Sequence, residues 1–374
     1  MNVPLSVAIV GSGIIAHNHA EAIARHPRLR TTAVVDPVAA ASASLADHVA
    51  DLTGGPPPGR YPTLTAALAD RAVDLVVVCG PSGTHAEVAE EALAAGAHVV
   101  VEKPPDATLA RARRLARLAT EAEKRGQVCS VISQHRFDPA SVAVARAVAD
   151  GRLGRLTSAV ASVAWWRGQD YYDSAPWRGT WELDGGGAAM NQGIHTVDLL
   201  VWLLGQPAEV FGCTGLLCHD RVEVEDVAVA TVRFASGALA VLHATTAAYP
   251  GLAVRLQVHG SRGSAVIHDD QLEYFHAAGD APAERANQAT RVVPAGEIRG
   301  VARAADSFVV GHLRQYGDIV DAIERGRPAA VRVDDALLAF AVVKAVYVSA
   351  TLRRPVAVGD VLDGGFDDVR VTTS

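Results

Sequence analysis

Val7-Ala8-Ile9-Val10-Gly11-Ser12-Gly13-Ile14-Ile15-Ala16 is the stretch that decides how the N-terminal part of this chain folds. Four apolar residues in a row make a short strand with no polar face, as expected of a strand buried on both sides. The strand runs into Gly-x-Gly-x-x-Ala and then a helical pattern. In such a turn Gly11 permits the tight bend, Gly13 lets a pyrophosphate approach the backbone, and the small Ala16 keeps the helix close to the sheet. Ile14 and Ile15 open that helix, where free N–H groups face a phosphate. The next strand ends on Asp36, whose carboxylate can accept both ribose hydroxyls of NAD but repels a 2′-phosphate. No Lys or Arg lies between Asp36 and Arg60 to offset that repulsion. NAD is therefore the expected cofactor.

Outward from this turn, short β-branched runs alternate with alanine-rich stretches as far as Ser133, which is the pattern of a parallel sheet with crossover helices. After a helix over 139–149 the pattern changes to strands joined by short turns, such as 227–234 and 238–245 around Ser236-Gly237. The fold class that follows is an α/β Rossmann domain, residues 1–134, followed by an α+β domain, residues 135–374, with an open, mainly antiparallel sheet. Helices are expected around 189–204, 312–325 and 334–351, and an irregular surface loop over 278–305. At 374 residues the chain is long enough for two cores.

Composition narrows the partners. The 41 acidic and 34 basic residues are interspersed and sum to −7, so no basic footprint for nucleic acid is present. No run reads as a membrane span, and the first ten residues lack the basic start and long apolar stretch of a signal peptide, so a cytoplasmic protein is expected. Cys79, Cys129, Cys213 and Cys218 form no CxxC pair. Buried reduced thiols are expected rather than disulfides, and no metal site.

Two more strand ends should line the nucleotide crevice: Pro81-Ser82-Gly83-Thr84-His85, with Pro81 and His85 in reach of cofactor, and Glu102-Lys103-Pro104. Together with Gln134-His135-Arg136-Phe137, Gly185-Gly186-Gly187, Gly193-Ile194-His195-Thr196-Val197-Asp198 and His312-Leu313-Arg314-Gln315-Tyr316, these motifs make the chain resemble, over nearly its whole length, the glucose-fructose oxidoreductase / inositol dehydrogenase (Gfo/Idh/MocA) family. The resemblance implies an NAD-dependent oxidoreductase acting on a secondary alcohol of a sugar, sugar derivative or cyclitol. It maps the family's catalytic lysine onto Lys103 and its proton-accepting histidine onto His195. It also brings Glu102, Lys103, Gln134, Trp177 and Arg178 to the cofactor.

The chemistry suits those residues. Removing hydride from a carbinol carbon passes through alkoxide character, which a desolvated ammonium stabilises and an imidazole relieves by taking the proton. Without the motif, His195 between Ile194 and Val197 would read as a core residue. Asn191, one turn before His195, stands where the inositol dehydrogenases carry aspartate. It can orient a ring or bind a hydroxyl but cannot offer a full charge, which shifts weight to Lys103 and leads us to expect a substrate acceptor, acetamido or carboxylate, facing the amide. Asp198 reads as a partial replacement for that charge or as a structural hydrogen-bonding group.

Four of the five tryptophans fall within 165–181, beside Tyr171, Tyr172, Arg167 and Arg178. Aromatic faces pack on sugar rings while arginines bind oxygens, so Trp166, Tyr172 and Arg136 join Lys103, Asn191 and His195 as candidate substrate residues. Two other functions fit the same motifs: an NAD-dependent glycosidase that oxidises C3 transiently, and a non-catalytic NAD- and sugar-binding regulator. An open sheet further suggests a homo-oligomer, dimer or tetramer.

Overall fold

The computed structural model describes residues 3–278, 286–302 and 306–373. The chain divides into two units: Met1–Gln134 with Ala304–Leu337, and His135–Arg303 with Leu338–Ser374.

In the first unit, strands β1 (Leu5–Val10), β2 (Leu29–Val35), β3 (Gly59–Tyr61), β4 (Leu75–Val78), β5 (His98–Val101) and β6 (Cys129–Val131) form one sheet in the order β3-β2-β1-β4-β5-β6. Every pair is parallel. This is the doubly wound order of a dinucleotide-binding fold, with the order reversing between β1 and β4. Leu75, Val76, Val77 and Val78 are fully buried, because helices cover both faces and leave no polar side to the strand.

One element departs from the expected domain assignment. The helix Ser307–Arg325, read from sequence as part of the second domain, belongs to the first unit. Its Val309, Tyr316, Ile319 and Val320 are buried in one cluster with Val7, Ile9, Ala20 and Ile23. Gln315 fixes its register: its side-chain oxygen accepts from Ser133 N at 2.9 Å and its amide donates to Val131 O at 2.8 Å. A second polar clasp follows, where Arg332 grips Glu123 through two nitrogens, at 3.0 and 2.7 Å. Sequence order alone assigned this segment to the wrong core; its apolar face is complementary to the Ile14–Arg25 helix.

The second unit holds an eight-stranded sheet. Strands β7 (Leu156–Ala164), β8 (Pro207–Gly215), β9 (Val227–Phe234), β10 (Leu239–Thr245), β11 (Arg255–Gly260), β12 (Gly263–His268), β13 (Gln271–Ala277) and β14 (Val356–Ala357) run in the order β13-β12-β11-β7-β10-β9-β8-β14. All neighbours are antiparallel except β7 and β10. Strict alternation shows on β9, where Ala228, Ala230, Val232 and Phe234 are buried and Val229 and Arg233 are exposed. The inner face is rich in alanine, which lets the helix Ile194–Leu204 approach closely. Burial of Val197, Leu200 and Leu203 contributes on the order of 1.5–3 kcal/mol each. On the outer face Phe211, Val229, Leu239 and Val241 remain exposed.

Three further expectations need correction. Of the four thiols expected to be buried, Cys79 and Cys129 are, whereas Cys213 and Cys218 are exposed. Val333–Leu352 is a helix long and apolar enough, by length and composition, to cross a membrane, although the sequence reading recognised no such run. Two-thirds of its apolar window is buried within the protein, as in a core helix. Within the loop read over 278–305, residues 286–302 contain two short 3-10 turns, Ala289–Arg291 and Ala295–Glu297; the rest of it, 279–285 and 303–305, lies outside the described residues.

Candidate active site

The nucleotide end of the first unit is built as its glycines require. Gly11 has φ +92°, and a Cβ there would lie 2.7 Å from the Cys79 and Gly80 backbone, so only glycine closes this turn. At Gly13 a Cβ would meet nothing within 4 Å, which leaves open space in front of the helix Ile14–Arg25. No side chain caps that helix and no acid lies in its first turn, while Ile14 is 79 % exposed. A pyrophosphate fits these features: it would take the uncapped N–H groups and lie beside Ile14. Asp36 accepts from Ser12 N at 2.9 Å and from Val38 N at 2.8 Å, so its carboxylate ties the glycine turn to the segment that follows β2.

Not every residue expected at the cofactor points there. His85 is buried, with its ring between Gly80 O and Pro104 O, each at 2.8 Å. It ties the loops after β4 and β5 together, next to Pro81 and the 3-10 turn Ser82–Thr84. Glu102 turns into the core, where Oε1 accepts from His19 Nε2 at 2.8 Å and faces His312 Nε2 at 3.5 Å, and His19 Nδ1 accepts from Tyr316 Oη at 2.6 Å. Burial alone would raise the Glu102 pKa, but the two histidines outweigh it and hold the carboxyl well below its ordinary value. Burial lowers the His19 pKa, against the raising effect of its hydrogen bond to Glu102. Glu102 Oε2 also accepts from Lys103 N at 3.1 Å, so this network fixes the backbone from which the half-buried Lys103 projects. Gln134 is buried at the end of the unit's first segment.

The second unit carries a π-helical turn, Ala188–Gln192, immediately before the helix Ile194–Leu204. Asn191 lies in the first and His195 in the second, both half-buried. Glu225, which sequence reading missed, secures this turn: its carboxylate accepts from Gly187 N, Ala189 N and Tyr347 Oη at 2.8–2.9 Å. A Cβ at Gly187 would overlap the Glu225 carbonyl. Burial pushes the Glu225 pKa up to about 7 against those hydrogen bonds.

Asp184 was missed as well. Asn191 Nδ2 donates to Asp184 Oδ1 and to Gly186 O, both at 2.9 Å, while Asp184 Oδ2 accepts from Gly179 N at 2.8 Å. Both amide hydrogens of Asn191 are thus committed within the protein. The expectation of a substrate acceptor facing that amide does not hold; what Asn191 can offer a substrate is its oxygen, an acceptor for a hydroxyl. The negative charge absent at 191 is present seven residues earlier, which no local spacing rule would have found.

His195 packs edge-on against His135, ring centroids 5.1 Å apart. His135 Nδ1 lies 2.9 Å from Asp138 and 3.0 Å from Asp270. Burial opposes charge on His135, yet Asp270 and Asp138 outweigh it and raise its pKa to about 10. His135, Asp138 and Asp270, like His19, Glu102 and His312, gather potential metal ligands within 4.8 Å. The closest separations in both groups are hydrogen-bond distances, so a proton between the paired atoms accounts for them. Arg136, expected to meet substrate, instead forms a bidentate pair with Asp198 at 2.8 and 2.6 Å, both buried. That pairing fills the structural role for Asp198. Tyr172 is also a core residue: its hydroxyl contacts Thr246 Oγ1 at 2.8 Å, and burial pushes its pKa up to about 12. Trp166 is half-buried between His219 and Tyr249. Arg178 stacks on Trp177, 4.6 Å from the ring centre.

Comparison with known proteins bears on this geometry. The oxidoreductase family with an NAD-binding Rossmann fold matches residues 5–131, and the GFO/IDH/MocA C-terminal domain matches residues 141–266. The chain belongs to the GFO/IDH/MocA oxidoreductase family. Inositol 2-dehydrogenase of Rhizobium meliloti (strain 1021) is 26 % identical over 370 residues, covering 94 % of this chain and 98 % of that protein. D-glucoside 3-dehydrogenase of Escherichia coli (strain K12) is 32 % identical over 209 residues, 55 % of each. The WlbA dehydrogenase from Bordetella pertussis, solved with NADH and UDP-GlcNAcA, superposes with a TM-score of 0.81 at 28 % identity, covering 96 % of this chain and 98 % of that one. As a GFO/IDH/MocA member, the chain is an oxidoreductase whose Rossmann unit binds NAD.

Proposed function

We propose that the protein is a dehydrogenase acting on a secondary alcohol of a sugar, sugar derivative or cyclitol, with NAD as hydride acceptor. The observation that carries this reading is Lys103: a half-buried ammonium at the carboxyl end of β5, on a backbone anchored by the ionised Glu102. Ligands of such sheets sit at the carboxyl ends of the strands. NAD, when bound, supplies the hydride chemistry. Lys103 stabilises the developing alkoxide, and His195 accepts the hydroxyl proton. Asn191 holds a neighbouring hydroxyl through its oxygen, with its amide oriented by Asp184 and Gly186.

The relatives support the substrate class. They include dehydrogenases of inositol and D-glucoside, and the WlbA dehydrogenase seen with UDP-GlcNAcA. A homo-oligomer, formed across the exposed Phe211, Val229, Leu239 and Val241, is part of the same proposal.

The test is a screen of polyols, glycosides and sugar acids with NAD, following NADH absorbance, repeated with Lys103→Ala. The variant should bind NAD normally and lose at least about a thousandfold in kcat, since a transition-state contact is removed. Near-normal turnover would remove Lys103 from the chemistry, and aglycone release without net NADH would reassign the reaction to glycoside cleavage.

A further inference from the structure

Five side chains in the segment 165–178 form a ladder. Arg167 lies over Trp165, 5.0 Å from the ring centre, and over Tyr171 at 5.4 Å; Arg178 lies over the same Tyr171 at 4.5 Å and over Trp177 at 4.6 Å. Both guanidinium groups therefore rest against one tyrosine.

Neither has an anionic partner among the described residues. The Nε atoms of Arg28, Arg167, Arg178 and Arg255 are all buried without a hydrogen bond. Arg28 and Arg255 are neutralised through their terminal nitrogens, by Glu324 and Glu273. No such carboxylate meets Arg167 or Arg178. Of the acids in this region, Asp173 is engaged by Arg221, Asp184 by Gly179 N and Asn191, and Glu223 by Trp181 N. Stacking uses the faces of a guanidinium and leaves its in-plane donors unsatisfied, and those donors match the two oxygens of an oxyanion.

The pair is built into the fold. Arg167 N donates to Thr246 O at 2.9 Å, and its carbonyl faces His219 Nε2 at 2.7 Å. Arg178 precedes Gly179, whose N–H is held by Asp184, the same carboxylate that orients Asn191. Tyr171 Oη accepts from Gln192 Nε2 at 3.3 Å, and Gln192 follows Asn191 in the turn leading to His195. Two unpaired cations are thus tied to the helix that carries the candidate proton acceptor.

We infer that Arg167 and Arg178 form an oxyanion subsite for a carboxylate or phosphate group on the sugar substrate. This rests on the proposed dehydrogenase reading and specifies its substrate as an anionic sugar. The sugar ring packs on Trp165 or Trp177, and its acidic group takes the in-plane N–H groups of the two arginines.

The test is binding rather than turnover, by titration calorimetry on enzyme saturated with NADH. D-Glucose, D-glucuronate and D-glucose 6-phosphate are compared in the native protein, Arg167→Met, Arg178→Met and the charge-keeping Arg167→Lys. At least one anion should bind about tenfold or more tighter than glucose, as expected for a charge-assisted fork. That preference should fall below about twofold in each Met variant and be partly kept in Arg167→Lys, with NADH affinity unchanged in Arg167→Met. Tighter glucuronate identifies a carboxylate, tighter glucose 6-phosphate a phosphate. Equal binding of all three sugars, or no binding of either anion, overturns the proposal. So does weaker NADH binding in Arg167→Met, which would give that arginine to the cofactor phosphates. Failure of the dehydrogenase reading is seen separately, as anion binding without NADH formation in the alcohol screen.

Discussion

Asn191→Asp would restore the aspartate of the inositol dehydrogenases, and in this chain it should damage the site. Asn191 Nδ2 donates to Asp184 Oδ1 and Gly186 O, each at 2.9 Å. A carboxylate cannot donate, so the variant loses one bond to a charged group, worth roughly 1.5–3 kcal/mol, and one to a neutral carbonyl, worth about 1 kcal/mol. It also sets two acidic groups against each other inside the protein. The pair should respond by sharing a proton, which raises one folded-state pKa while both groups ionise near pH 4 in the unfolded chain. Over that interval the native state binds more protons than the unfolded state, so its stability falls as pH rises. The expected deficit is about 3 kcal/mol at pH 8 and markedly less at pH 5. Urea unfolding at both values measures it. The exchange Asp184→Asn with Asn191→Asp restores one acid and one amide and should recover more than half of the loss. Equal stability of Asn191→Asp and the native protein at pH 8, a deficit independent of pH, or an exchange no better than the single variant would refute the pairing.

Two further outcomes follow from carboxylates described above. Because burial raises the Glu225 pKa to about 7 from an ordinary 4.5, the group favours folding most below pH 4.5, and that contribution, about 3 kcal/mol, is lost as pH rises through 7. The stability of Glu225→Gln relative to the native protein should therefore climb by a similar amount between pH 4.5 and 8; a flat difference curve would contradict the assignment. Asp36→Ala should reduce the preference for NAD over NADP by at least about tenfold, the scale of one unfavourable charge contact. It should also weaken NAD itself, since Ser12 N and Val38 N lose their acceptor. An unchanged cofactor ratio in fluorescence titration would argue against Asp36 as the discriminating residue.

How much of this was legible depended on whether a feature is local in sequence. The turn at Gly11–Ala16, the strand ends at Asp36 and Lys103, and the change to alternating strands after residue 150 were all readable, because backbone sterics and periodicity act over a few residues. The destinations of long-range side chains were not. Glu102 looks like a crevice residue until His19 and His312 are seen to enclose it. Arg136 is committed to Asp198, 62 positions away. The charge expected at 191 resides in Asp184, which reaches Asn191 because the glycine run and π-helical turn fold back between them. Helix 307–325 carries an apolar face that periodicity reveals, but which of two cores receives it is settled by shape.

That last helix has a consequence for how the protein is made. A ribosome delivers the six strands of the parallel sheet by residue 131, yet Val309, Tyr316 and Ile319, which complete the packing around Ala20 and Ile23, come almost two hundred residues later. At roughly 5–20 residues per second the nascent Rossmann sheet waits on the order of 10–40 s with one apolar flank open. The N-terminal unit is thus first to begin folding but cannot finish until seven of the eight strands of the second sheet have been synthesised. During that interval the flank around Ile23 is the surface a trigger-type chaperone, or a neighbouring nascent chain, would meet.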